Sequence, residues 1–245
     1  IYDSVKCIIN QTFDNLELIL INDGSNDSSG DIAQSISDRR IRYFENKNNQ
    51  GLIKTLNKGL HFAEGKFIAR MDADDLCYIN RFEKQIEYFK YNPDIDILGT
   101  GQYIIGTDRT YIHKLSNEEN RIQLFLQPIV GHSSVMLKKE ALYKNNLYYD
   151  KNALYAEDYK LWIDASLCGL TICNLSECLC GYRIHEKQIS NTQSDIQRYI
   201  ADKIRIAYAK HFFFNVIEGN ELVYLFFIHG INSSFKDMYI AQIEE

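Results

Sequence analysis

Proline is nearly absent from this sequence, with 2 among 245 residues, and glycine is sparse at 13. That poverty excludes collagen-like, proline-rich and glycine-rich low-complexity chains. The 6 cysteines (Cys7, Cys77, Cys168, Cys173, Cys178 and Cys180) are too few and too scattered to scaffold a disulfide-stapled domain of this size. Reduced thiols in a cytoplasmic setting are the expectation. Cys168, Cys173, Cys178 and Cys180 lie near one another, but without the paired C-x₂₋₄-C knuckles of structural zinc sites. An excess of positive charge is also missing. Lys+Arg number 27 against 33 Asp+Glu, a formal net charge of −6, which speaks against a nucleic-acid partner. No apolar run reaches the roughly 18 residues that a membrane-spanning helix needs. What is present is core material, 45% hydrophobic and 13% aromatic, ample for one large domain or two small ones. The chain opens on Ile1 rather than Met, as a fragment would.

Periodicity outlines the elements. Val5, Ile8 and Ile9 share one face of a helix over Ser4 to Gln11, and Leu16 to Ile21 is the nearly continuous apolar run of a buried parallel strand. Asn22-Asp23-Gly24-Ser25 stops that strand, and a helix over Ser29 to Ser37 follows. A short strand at Arg42 to Phe44, a helix from Leu52 to Ala63 and a strand from Gly65 to Met71 continue the alternation. Strand, polar turn and helix repeated in this way predict an α/β fold with a mostly parallel sheet flanked by helices. Ligands of such sheets bind at the carboxyl ends of the strands, where both acidic turns fall. Further on, Arg81 to Tyr91 and Glu157 to Gly169 read as helices. Ile95 to Gly101, Val135 to Leu137 and Gly181 to His185 read as strands, and Asp195 to Lys210 as a long amphipathic helix.

Four motifs can carry chemistry, and each has an ordinary structural reading beside it. In Asn22-Asp23-Gly24-Ser25, Asp23 can accept hydrogen bonds from a nucleobase, with Gly24 allowing close backbone approach; equally, Asp23 or Ser25 can cap a helix. Arg70-Met71-Asp72-Ala73-Asp74-Asp75 crowds carboxylates directly after a strand. Their repulsion calls for a cation nearby, and a hard divalent ion with oxygen ligands fits Asp72 and Asp74. Asp75 can serve only to offset a helix macrodipole. In Ala156-Glu157-Asp158-Tyr159-Lys160-Leu161-Trp162, a carboxylate at a helix start packed by Trp162 is held as a general base must be, or is merely a cap. In Tyr182-Arg183-Ile184-His185, Arg183 and His185 on alternate residues of a strand share one face and can meet a diphosphate or its metal. A lone His is more often structural or merely exposed, and His132 in Gly131-His132-Ser133-Ser134 shares that ambiguity.

Taken in order, these motifs resemble the family 2 glycosyltransferases of the GT-A fold, over about residues 4–190. Asn22-Asp23-Gly24-Ser25 is similar to the family's D-D-G-S turn, with Asn22 in place of the first Asp. Asn49-Gln50-Gly51-Leu52, Asn57, Gly59, Ala63 and Gly65 match the approach to the metal strand. Asp72-Ala73-Asp74-Asp75 matches D-x-D, with Arg81 following. Gly131-His132-Ser133-Ser134-Val135-Met136 resembles the H-x-S-V-M segment, Glu157-Asp158-Tyr159-x-Leu161-Trp162 the E-D-x-x-L-W motif, and Tyr182-Arg183-x-His185 the Y-R-x-H motif.

The resemblance implies an inverting transferase that moves a sugar from a nucleotide-diphosphate donor, usually a UDP-sugar, to a hydroxyl of a glycan or lipid-linked acceptor, with Mg²⁺ or Mn²⁺. By position, Asp23 would bind the nucleobase and Asp72 would contact the ribose or lie close to the metal. Asp74 would ligate the metal and Asp158 would deprotonate the acceptor. His185 would contact the metal or diphosphate. The family's first hydrophobic strand and its P-x-Y-N-like loop have no counterpart downstream of Ile1, so a natural protein longer at its N-terminus is expected. The division expected is a GT-A domain over 1–190 and a helical C-terminal extension over 191–245, packed on it as core or interface. Peripheral contact with the inner face of the membrane and a homodimer are left open. Two alternatives stand beside the transferase: a non-catalytic nucleotide-sugar-binding or scaffolding protein on the same fold, and a nucleotidyltransferase. The latter would carry a Gly-rich phosphate loop, which is not found.

Overall fold

The structure, a computed structural model, describes residues 1–186, 188 and 192–213. Residues 214–245 of the C-terminal extension expected over 191–245 therefore lie outside the described residues.

The chain begins with helix α1 (Tyr2–Ile9) and then alternates strand and helix: β1 (Leu18–Asn22), α2 (Ser29–Ser35), β2 (Ile41–Glu45), α3 (Leu52–Phe62) and β3 (Phe67–Ala69). After β4 (Leu76–Cys77) and α4 (Arg81–Tyr91) come β5 (Ile97–Ile104), β6 (Thr110–Tyr111) and α5 (Asn117–Gln123). A 3₁₀ turn at His132–Ser134 leads into β7 (Met136–Lys138), α6 (Lys139–Lys144), α7 (Glu157–Leu167), β8 (Ile172–Tyr182) and α8 (Ser194–Phe213).

Two sheets result. β1 and β2 pair in parallel, as the alternation predicts. The larger sheet runs β3-β7-β5-β8-β4, with β6 on β5, and it is mixed rather than mostly parallel. β5 and β8 are parallel, whereas β3–β7, β5–β7, β4–β8 and β5–β6 are antiparallel. β6 follows β5 through a short turn and so runs back against it, and β7 enters between β3 and β5 opposite in direction to both. β1, expected to be buried on both sides, is half-buried along its length.

The main core gathers around α7, whose Tyr159, Leu161, Trp162 and Ala165 are all at most 1% exposed, against Ile97, Val135, Leu137 and Ile172. α8 closes this core with Ala201, Ile204 and Tyr208. A second core joins α4 to the opposite side through Phe82 and Phe89 with Leu98 and Met136. Arg81, Phe82, Gln85 and Phe89 form the buried face of α4, which is the spacing of a helix lying on a sheet.

Candidate active site

The acidic turns are built by contacts that lock backbone. After β1, Asn22 accepts from the Ser25 N–H at 2.9 Å, and the chain turns through Gly24 at φ +73°. A Cβ there would stand 2.8 Å from the Asn49 nitrogen, so the turn requires glycine. Asp23 accepts from Asn46 Nδ2 and the Gln50 N–H, each at 2.8 Å, and from the Gly51 N–H at 2.9 Å. Desolvation works to raise its pKa, but these hydrogen bonds outweigh it and hold the carboxyl below its usual value. Asp23 thus ties the end of β1 to the 46–51 turn that opens α3.

The Asp72–Asp75 turn follows β3. Helix α1 holds it from below: Ser4 Oγ donates to the Ala73 carbonyl at 2.8 Å. From above, the guanidinium of fully buried Arg81 donates to the Arg70 carbonyl at 3.2 Å and the Val135 carbonyl at 3.1 Å. Within the turn the three carboxylates have separate fates. Asp72 pairs with the Arg70 guanidinium and accepts from Ser133 Oγ at 2.9 Å. Asp74 leaves its side chain 45% exposed, with Oδ2 3.2 Å from His185 Nε2. Asp75 is 1% exposed, and its Oδ1 accepts from the Arg183 N–H at 2.9 Å. Burial pushes its pKa up to about 6. The expected helix-start role for Asp75 is therefore corrected: β4, not a helix, follows it, and its carboxylate anchors a distant loop.

That loop is the Arg183–His185 segment, and here the sequence expectation also changes. β8 ends at Tyr182, so Arg183 and His185 sit in the loop beyond it rather than on a strand. The Arg183 N–H is taken by Asp75 instead of a ladder partner, and Arg183 Nε donates to the Asp74 carbonyl at 2.8 Å. The outcome is still convergent. Asp74, Arg183 and His185 meet at one edge of the site.

The remaining acidic motif lies at the start of α7. Tyr155, at φ +70°, is in a conformation that costs a non-glycine residue energy. Gln197 on α8 donates to its carbonyl at 2.7 Å. Glu157 is 6% exposed and its Oε2 has no hydrogen-bond partner among the described residues. Burial, reinforced by the neighbouring Asp158 charge, raises its pKa to about 7. Burial also raises Asp158, while the Tyr159 N–H, donating to Asp158 Oδ1 at 2.7 Å, and the Arg70 charge pull the other way. His132 is packed edge-on to Trp162 and lies 2.9 Å from the Tyr149 hydroxyl through Nε2. Burial, with Arg70 beside it, depresses its pKa well below the usual value and keeps it neutral.

This arrangement can be set beside known proteins. Residues 1–148 match the family described as Glycosyl transferase family 2. An uncharacterised glycosyltransferase of Haemophilus influenzae is 37% identical over 220 residues, covering 83% of this chain and 67% of the relative. The O-antigen biosynthesis glycosyltransferase WbnJ of Escherichia coli is 34% identical over 199 residues, covering 75% of this chain and 74% of WbnJ. The chain belongs to glycosyl transferase family 2. Solved structures agree on the fold of this family 2 chain. S. aureus TarS 1-349 in complex with UDP matches at TM-score 0.65 and 16% identity, over 85% of this chain and 61% of that one. The mannosyltransferase PcManGT from Pyrobaculum calidifontis, in complex with GDP-Man and Mn²⁺, matches at TM-score 0.62 and 16% identity, over 84% and 59%. The fold is thus GT-A, and this glycosyltransferase chain spans about three-fifths of those two chains. No described helix is long and apolar enough to cross a membrane.

Several residues of this candidate site have no chemical mark in the sequence. Arg70, Ser133 and Tyr149 line it without standing out as candidates. Arg70 and Ser133 lie inside two of the motifs, but nothing in their spacing says that they meet. Tyr149 carried a weaker signal: Asn57, which the family pattern singles out, donates to its carbonyl at 2.8 Å and accepts from its N–H at 2.9 Å.

Proposed function

We propose that this family 2 glycosyltransferase moves a sugar from a nucleoside-diphosphate donor, a UDP-sugar first among them, to a hydroxyl of a glycan or lipid-linked acceptor, with inversion at the anomeric carbon. The observation that carries this reading is the division of the carboxylates. Asp74 stands open beside Arg183 and His185, and Asp158 stands apart from them at the head of α7.

The donor side suits a diphosphate and a divalent cation. Asp74 and His185 offer one oxygen and one ring nitrogen, half-open to solvent, and among the described residues no closed group of three or more His, Cys, Asp or Glu gathers to hold a metal. Such an open pair fits Mg²⁺ or Mn²⁺, which take few protein ligands and share the rest with phosphate and water. Bound there, the cation would neutralise charge building on the departing diphosphate. Arg183 adds a fixed cation at the same edge. Asp23 and the 46–51 turn that it organises supply the nucleobase end, and Asp72 the ribose side.

On the acceptor side, Asp158 takes the proton of the attacking hydroxyl as its oxygen forms the bond to C1. The bond from C1 to the diphosphate breaks on the opposite face, and the configuration inverts. The carboxylate must be ionised to do this, so activity rises with pH through its elevated pKa.

Release of nucleoside diphosphate from UDP-, GDP- and dTDP-sugars with Mn²⁺ tests the reading. Release from a UDP-sugar that EDTA abolishes, and that Asp74→Asn lowers at least about tenfold, is the expected result. Folded protein that turns over none of the panel would overturn it.

A further inference from the structure

Arg70 is an arginine that the transfer chemistry above leaves unused, and it stands at the centre of the site. Its side chain is 11% exposed. Both terminal nitrogens engage Asp72, Nη1 at 2.6 Å from Oδ2 and Nη2 on Oδ1. Nη1 also donates to Ser133 Oγ at 3.3 Å, and that hydroxyl donates to Asp72 Oδ2 and accepts from the Asp72 N–H at 3.1 Å. The Arg70 backbone is fixed as well: its N–H donates to the Val135 carbonyl at 3.1 Å and its carbonyl accepts from Arg81. A guanidinium held at both backbone and side chain cannot swing away when ligands bind.

We propose that Arg70 is a positioning residue of this site: its fork, shared with the Ser133 hydroxyl, fixes the Asp72 carboxylate in one orientation on the donor side. The donor label rests on the function proposed above; the fork on Asp72 does not. Arginine is required rather than lysine, because only a planar fork meets both oxygens of Asp72 and the Ser133 hydroxyl together. A lysine would keep the charge and lose the geometry. Loss of Arg70 frees Asp72 to turn and leaves its carboxylate without its counterion.

The test compares the whole protein as wild type, Arg70→Lys and Arg70→Met. Calorimetry with UDP and Mn²⁺ is expected to show Arg70→Met weakened at least about tenfold. In donor hydrolysis, Arg70→Lys is expected to keep its KM within about threefold while kcat falls at least about tenfold, a split that general loosening of the fold would not produce. An Arg70→Met protein within about twofold of wild type in affinity and kcat overturns the proposal. Double-mutant cycles in urea unfolding test it without any nucleotide. Arg70→Met paired with Ser133→Ala, and with Asp72→Asn, should each give a coupling of at least about fivefold in the folding equilibrium constant. Additive losses in both cycles overturn the proposal even if the protein proves to be a transferase. Coupling without binding of UDP·Mn²⁺ to the wild type would uphold Arg70 and count against the donor reading instead. Should Arg70→Met fail to fold, Arg70→Lys carries the same cycles.

Discussion

Asp158 is held between opposing influences: burial disfavours its charged form, and the Tyr159 N–H and the Arg70 guanidinium favour it. That balance suits a base, which must be charged before the reaction and accept a proton during it. Asp158→Asn is expected to lower transfer at least about 100-fold while UDP·Mn²⁺ affinity, measured by calorimetry, stays within about twofold; transfer near the wild-type rate would remove Asp158 from that role. At this scale the sequence was informative about residue types and silent about partners. Asp72, Asp74 and Asp75 look alike in the string, yet one pairs with arginine, one stays open and one is buried. Only the side chains of Ser133 and His185 and the backbone N–H of Arg183, arriving from distant segments, separate them.

The elements themselves were largely legible, because helix and strand leave periods of 3.6 and 2 in a short window. The helix expected at Arg81 to Tyr91 spans those residues in the structure, and the helix expected from Leu52 reaches Phe62. Strand ends were harder. The strand expected over Gly181 to His185 is the tail of β8, which ends at Tyr182 because Asp75 captures the next backbone N–H. Sheet direction was harder still, since β7 carries the same apolar pattern whichever way it runs. The turn after β1 was readable from Asn22-Asp23-Gly24-Ser25 alone, and its glycine has a measurable consequence. Gly24→Ala must place a Cβ against the backbone of Asn48 and Asn49 at positive φ. A loss of about 1–3 kcal/mol in urea unfolding is expected, together with weaker binding of UDP, because the 46–51 turn would shift.

For the molecule as a whole, the buried acids set how stability responds to pH. Glu157 has its pKa raised from 4.5 to about 7, so the folded state holds a proton that the unfolded state has already released. Stability from this group is full below pH 4.5 and is lost as pH rises through about 7. Glu157→Gln removes that loss. The variant is expected to be more stable than wild type at pH 8 by about 2 kcal/mol, and to show a flatter stability curve between pH 5 and 7 by thermal unfolding across a pH series. The opposite sign, with wild type gaining stability over that range relative to the variant, would mean that Glu157 is paired. Asp23 and Glu17, whose pKa values are lowered, act in the other direction and lose their contribution as pH falls through the carboxylate range.

The order of elements, the glycine that the first turn demands and the kinds of side chain at the strand ends were determined by the sequence itself, because each depends on residues within a few positions of one another. The mixed direction of the sheet, the burial of Asp75 and Glu157, and the meeting of Arg70 with Asp72 and Ser133 were decided only by the tertiary structure. Those features depend on which distant segments are brought close enough to exclude water and exchange hydrogen bonds, and no local period carries that information.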